Sequence, residues 1–343
     1  MVLKHIKIVD SKKSVLADNL TENCVQCLAS CDFEGRTIPI CPEYGDKRRQ
    51  GQRITNSSTV FLCCAQTKTT KLFKQKIEAL SYCVPELKIP ISEIRNEEQK
   101  KVNRLVHNLT SINAHNIQEV YDLVPQEILA QNWRKQLDFI KEEIEKDMDK
   151  AALMFLRIAK HNTHMRSEFS IYRKLERDDN IELDKKEHNL RNVLLNTLHT
   201  FFSDFSKQNV YVEVDDFFFK VSFDYETIQV ALYHLIENAA KYTLYNTKVS
   251  ITAFESDEWI NLKFDMTSIH VTEDEKEEIM KEGVSGKMAK KMQKQGDGIG
   301  MWRIDQMLKI NDGEFEAIFG GVSESKMGFD FSNNIFIMKF LKD

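Results

Sequence analysis

Glycine and proline are scarce, 12 and 5 residues in a chain of 343, against typical usage of about 7% and 5%. Helix should therefore dominate. Neither charge is in large excess: the formal net charge is -5, which removes the basic surplus expected of a nucleic-acid binder. No uninterrupted apolar run approaches the roughly 18–20 residues of a membrane helix. The opening MVLKHIKIVDSKKS also lacks the apolar centre of a signal peptide. These absences predict a soluble, cytoplasmic chain with no membrane span and no nucleic-acid partner. With 42% hydrophobic and 29% charged residues, the chain has core enough for roughly two to three domains and is not disordered.

The distribution of the scarce residues divides the chain. No glycine occurs between Gly51 and Gly283, whereas the C-terminal stretch from Gly283 to Gly328 is rich in it. All seven cysteines (Cys24, Cys27, Cys31, Cys41, Cys63, Cys64 and Cys83) precede residue 84. Three segments result: a Cys-bearing module over 1–90, a Gly-free helical stretch over 91–178, and a domain over 187–343 with a glycine-rich loop. The expected fold class is multidomain α+β.

In the first segment KHIKIVD and TVFLCCA have the pattern of strands and KLFKQKIEALSY that of a helix, a small α+β module. Cys24, Cys27, Cys31 and Cys41 could supply four thiolates to zinc or an iron–sulfur cluster, although only one close doublet is present. An odd number of cysteines and the absence of a leader favour reduced thiols over disulfides. A sensing role is suggested by position alone.

Pro85 and Pro90 should close that module. The following run shows Val102, Leu105, Leu109 and Ile112 at 3-4-3 spacing, the seam of a helix packed in a bundle. A second run from Asn132 to about Glu176 carries Phe155, Ile158, Met165, Phe169 and Tyr172 at compatible spacing. Two such helices make a hairpin, and a lone hairpin exposes much of its apolar stripe, so a homodimeric four-helix bundle is expected. On the seam's opposite face stands His107. A neutral imidazole on an exposed helix face can attack phosphorus; its neighbour Asn108 can orient the ring, and the Ser111 hydroxyl lies one turn away. The run His107-Asn108-Leu109-Thr110-Ser111 resembles the H-box of sensor histidine kinases, with Asn108 where Glu or Asp is commoner.

The last segment interleaves helices with strand pairs, an α/β sandwich of one mixed sheet covered on one side by helices. A long helix carries His234-Leu235-Ile236-Glu237-Asn238-Ala239-Ala240-Lys241-Tyr242-Thr243. Asn238 offers an uncharged oxygen to Mg2+, which takes its remaining ligands from water and phosphates, and Lys241 adds positive charge nearly one turn on. Further along, Gly296-Asp297-Gly298-Ile299-Gly300-Met301 precedes another helix, where glycines admit a polyphosphate and the helix N-terminus points N–H groups at it. The pair resembles the N-box and G-box of the GHKL ATPase superfamily, in its histidine-kinase branch. By that resemblance Asn238, Lys241, Tyr242, Gly296, Gly298, Ile299, Gly300 and Met301 bind ATP, with Asn238 the Mg2+ ligand. Asp265 is matched to the adenine-binding Asp, with Thr267 and Ile269 where the family has glycines. His270–Gln295 corresponds to a mobile lid with hinges at Gly283 and Gly286 and mobile charges at Lys287, Lys290, Lys291 and Lys294. His234 occupies the post where hydrolytic members carry a water-activating Glu, which favours transfer to protein over hydrolysis.

The resemblance implies a sensor histidine kinase of two-component systems. Such a protein uses Mg-ATP, autophosphorylates His107 with Asn108, Ser111 and His234 close to the chemistry, and passes the phosphoryl group to an aspartate of a response-regulator receiver domain. A non-catalytic, ATP-switched scaffold and a GHKL kinase acting on hydroxyls are the alternatives.

Overall fold

In the computed structural model, residues 3–30, 40–41, 45–65, 67, 69–176, 183–294 and 296–342 are described. The chain separates into two units, Met1–Val102 and Asn103–Asp343, with the boundary inside the stretch 91–178.

The first unit contains β1 (Leu3–Asp10), β2 (Val15–Asp18), α1 (Glu22–Ser30), β3 (Ile40–Cys41), β4 (Gly45–Ile54) and β5 (Ser58–Ala65). The strands form one antiparallel sheet in the order β2-β1-β5-β4-β3. The apolar run in β5 reflects burial on both faces. Val60 and Leu62 meet Ile8 and Phe73, Ile77 and Val84 of the helix that follows, while Phe61 and Cys63 meet Leu20 and Leu28. That helix, α2, spans Thr70–Leu123 and runs through Pro85 and Pro90, contrary to the expected break. Both prolines lie on its exposed side, where water can satisfy the carbonyls they leave unpaired.

The second unit begins with the remainder of α2, followed by α3 (Gln126–Leu129), α4 (Trp133–Lys146) and α5 (Met148–Ile171). The single second helix expected from Asn132 is interrupted at Asp147, whose extended φ of -149° ends α4 and whose carboxylate accepts the Lys150 N–H to cap α5. α5 returns antiparallel to α2: Arg157 bonds Glu119 at 3.0 Å, His161 bonds Asn116 at 3.1 Å and Asn108 bonds Glu168 at 2.9 Å. Val106, Phe155 and Phe169 remain exposed on this hairpin.

Beyond it come β6 (Lys185–Asn189), α6 (Leu190–Leu198), α7 (Phe202–Lys207), β7 (Tyr211–Val214), β8 (Lys220–Asp224) and α8 (Tyr225–Tyr242). Then follow β9 (Lys248–Ser256), β10 (Trp259–Ile269), α9 (Lys287–Lys291), α10 (Gly300–Lys309), β11 (Glu314–Lys326) and β12 (Phe329–Leu341). Five strands form the mixed sheet β11-β12-β10-β9-β7, with β7 parallel to β9, and β6 pairs β8 in a separate ribbon. The expected sandwich is thus present. α8 buries Ile228, Leu232, Leu235 and Ile236 completely, in one core with Leu262 and Phe264 of β10 and Ile304 and Leu308 of α10. Each such side chain contributes about 1.5–3 kcal/mol on burial. Among the described residues no helix is long and apolar enough to cross a membrane.

Two buried side chains set the relation of α8 to α10. Asp224 caps α8 by accepting the Thr227 N–H at 3.1 Å, and Asn311, just past α10, accepts the Asp224 N–H at 2.8 Å and donates to the Thr227 hydroxyl at 2.7 Å. The start of α8 is thereby tied to the end of α10. The two helices run antiparallel, and the C-terminal turn of α8 meets the N-terminus of α10.

Candidate functional site

At that meeting point the two sequence motifs come together. A Cβ added at Gly300 would lie 3.5 Å from the Asn238 Nδ2 and 3.7 Å from its Oδ1, and Asn238 Nδ2 lies 3.7 Å from the Met301 sulfur. No side chain caps α10, so its first N–H groups remain available to an anion. Gly298 has a positive φ of 71°, and a Cβ there would stand 2.6 Å from the Val284 backbone, so both its conformation and its close approach require glycine. A cavity of about 540 Å³ opens here, lined by Asn238, Lys241, Tyr242 and the Gly296–Met301 loop. That size suits a nucleotide-sized ligand.

The same cavity is bordered by α2 and α5. His107, Asn108 and Ser111 line it together with His115, His161 and His164, and His107 is exposed, as its position opposite the seam predicts. His161 is half-buried and held below the usual imidazole range by that burial and by the nearby His115 ring, 5.7 Å away. His164 stacks on Tyr233 at 4.9 Å.

Behind these rings lies a charged cluster that the motifs did not reveal. Glu168 of α5 and Arg303 of α10 are both buried and meet at 2.6 Å. Burial alone would raise the Glu168 pKa. The His164 ring 3.6 Å away, the Arg303 charge and hydrogen bonds, and the Asn108 amide outweigh it and hold the carboxyl far below the ordinary range. Arg303 shares the face of α10 that buries Ile304, Met307 and Leu308, and a charge on an apolar stripe was the one sequence signal available. His234 is 4% exposed, with Nε2 3.4 Å from Arg303 and Nδ1 3.8 Å from the half-buried Glu237. Burial, reinforced by the Arg303 charge, lowers its pKa against the pull of Glu237. Glu237 also receives Lys241 at 3.2 Å. It stays ionised despite its desolvation because His234 and Lys241 face it.

Asp265 does not line the cavity: along β10 the side chains alternate, Met266 and Ser268 face the cavity, and Asp265 turns to the other face and pairs with Lys263 at 3.0 Å. β10 continues through Thr267 and Ile269, which pair with Asn333 and Phe331 of β12. Three of the four lysines of the segment His270–Gln295 named above have partners. Lys287 pairs with Asp274 at 2.5 Å, while Lys291 and Lys294 bond the carbonyls of Gly328 and Lys241 at 2.6 and 3.1 Å. From this segment Ile279, Val284, Ser285, Met288 and Ala289 face the cavity instead.

No protein-family model and no curated protein sequence matches the chain. Among solved structures, the catalytic domain of histidine kinase ThkA is similar at 21% identity, over 47% of this chain and 97% of that one, with a TM-score of 0.38. Acinetobacter baumannii histidine kinase AdeS is similar at 16% identity over 69% of this chain and 96% of that one, TM-score 0.37. Full-length ShkA in complex with AMPPNP is similar at 13% identity over 71% of this chain and 46% of that one, TM-score 0.41.

Proposed function

We propose that the protein is a histidine kinase that binds Mg-ATP between α8 and α10 and transfers the γ-phosphoryl group to His107. One observation carries this reading: a single cavity is lined both by the exposed His107 imidazole and by Asn238 with the Gly296–Met301 loop at the open N-terminus of α10. Asn238 offers a half-buried amide oxygen beside the phosphate loop, a donor that suits Mg2+, and the bound ion would neutralise charge on the phosphates. The α10 N–H groups and Lys241 orient the polyphosphate. A neutral His107 nitrogen attacks the γ-phosphorus as its bond to the bridging oxygen of ADP breaks, and the ring proton leaves to solvent.

The phosphoryl group would then pass to an aspartate of a response-regulator receiver domain. The exposed Val106, Phe155 and Phe169 on the hairpin support a second copy of the chain as the partner that covers them.

A scaffold reading is favoured by one feature: the Asn108 amide is donated to Glu168 at 2.9 Å and gives no basic group beside His107. Incubation with γ-labelled ATP tests both. Transfer to His107 yields an acid-labile, base-stable label that His107→Gln abolishes while nucleotide binding and self-association persist. Tight Mg-ATP binding without any label selects the scaffold, and label that survives in His107→Gln moves the phosphoacceptor elsewhere.

A further inference from the structure

In the first unit a strand pair and a helix bring three soft-metal ligands to one buried point. His5 of β1 stands directly opposite Cys63 of β5 in the antiparallel register, so both side chains leave the same face of the sheet. Cys24 reaches that face from the first turn of α1, with its sulfur 2.9 Å from His5 Nδ1. The ligand atoms of His5, Cys24 and Cys63 lie within 4.8 Å of one another, and their side chains are buried. None of Cys24, Cys63 and Cys83 is in a disulfide.

We propose that His5, Cys24 and Cys63 form a binding site for a zinc-class divalent cation. At zinc's bond lengths of about 2.3 Å to sulfur and 2.0–2.1 Å to nitrogen, tetrahedral ligands stand about 3.5–3.8 Å apart, a spacing these atoms reach with side-chain shifts of an ångström or less. Charge selects the class of ion. Two thiolates and a neutral imidazole around a dication sum to zero, so the occupied site carries no net charge into the interior, whereas a monovalent ion would leave one negative charge buried. Sulfur donors disfavour Mg2+ and Ca2+. Binding expels the two thiol protons to solvent and leaves a fourth position for a water or a further thiol. The site differs from the set that spacing suggested: Cys31 and the side chains of Cys27 and Cys41 lie outside the described residues. Neither His5 nor Cys63 entered that pattern.

The test uses the full chain, reduced and stripped of metal, titrated with Zn2+ and separately with Co2+. One ion per chain is expected. The cobalt form should show a thiolate-to-metal charge-transfer band, two protons should be released at a pH below the thiol pKa, and zinc should raise the melting temperature of the first unit's transition. Cys24→Ser and Cys63→Ser should each weaken zinc binding at least about a hundredfold, and His5→Asn about 10–100-fold, while the exposed Cys83→Ser changes nothing. Absence of the band in the wild-type cobalt spectrum counts against the site even if the buried variants fail to fold, and His5→Asn, which keeps every thiol, separates this site from one built on the other cysteines. Absence of that band, or zinc loading unaltered in folded Cys24→Ser or Cys63→Ser, overturns the proposal.

Discussion

Glu168 and Arg303, 135 positions apart in sequence, meet as a two-point ion pair at 2.6 and 3.3 Å, each side chain only 3% exposed. The pair joins the returning helix of the hairpin to the helix behind the glycine loop. Asn108, next to His107, donates to the same carboxylate, and His234 stands beside the guanidinium. The neighbour of the proposed phosphoacceptor and the base of the proposed phosphate site are therefore linked by contiguous hydrogen bonds.

Removing one partner of this pair leaves a buried charge unpaired. Glu168→Ala should destabilise the second unit by about 3–5 kcal/mol, whereas the double change Glu168→Leu with Arg303→Met should recover most of that loss. Chemical denaturation checks it; a double variant as unstable as the single one contradicts the charge-desolvation account.

The glycines of the loop should not respond alike. Gly298→Ala places a Cβ 2.6 Å from the Val284 backbone at a positive φ, whereas a Cβ at Gly296 meets nothing within 4 Å. Calorimetric titration with Mg-ATP should show Gly298→Ala losing at least about tenfold in affinity, roughly 1.4 kcal/mol, with Gly296→Ala nearly unchanged. Equal losses would place the close approach elsewhere.

Because Asp265 faces away from the cavity and pairs with Lys263, Asp265→Asn should leave ATP affinity within about fivefold, the factor that matches the ~1 kcal/mol ceiling of a surface ion pair. The cavity wall at that point is Met266, which cannot select a purine amino group by a carboxylate hydrogen bond. ATP and GTP affinities should accordingly differ by less than about tenfold, far from the discrimination a dedicated hydrogen bond provides. Competition titration measures both.

Burial lowers the pKa of His234 in the fold, while the unfolded chain binds that proton near pH 6.5. Below that pH the unfolded state holds more protons, so this stabilisation is complete above about pH 6.5 and is lost as pH falls towards the folded value. Melting temperature should drop from pH 7.5 to 5.5, and the drop should be shallower in His234→Gln. Identical slopes in the two proteins would remove His234 as the cause.

The strands KHIKIVD, TVFLCCA, VYVEV and TKVSITAF were legible because their apolar alternation or continuity matches their burial. β4 was not: GDKRRQGQRI is charged, opens on a glycine and is interrupted by another, and it becomes a strand by pairing with β5. The prolines were read as a stop, yet Phe73, Ile77 and Val84 bury one face of α2, a gain that no local propensity contains. At the proposed site, Asn238, the Gly296–Met301 loop and His107 were singled out by the resemblance of their motifs, whereas Glu168 and Arg303 carried no motif.

By itself the sequence determined which segments bury a face, which helix could offer an exposed imidazole, and where the backbone needs glycine, because these follow from periods of 3.6 and 2 and from the sterics of one residue. Only the tertiary structure decided that Met266 and not Asp265 faces the cavity, that Glu168 finds Arg303, and that His5, Cys24 and Cys63 converge. The physical reason is that a side chain's partner across a fold depends on how sheets and helices stack, an outcome of the summed packing of the whole core that no local pattern encodes.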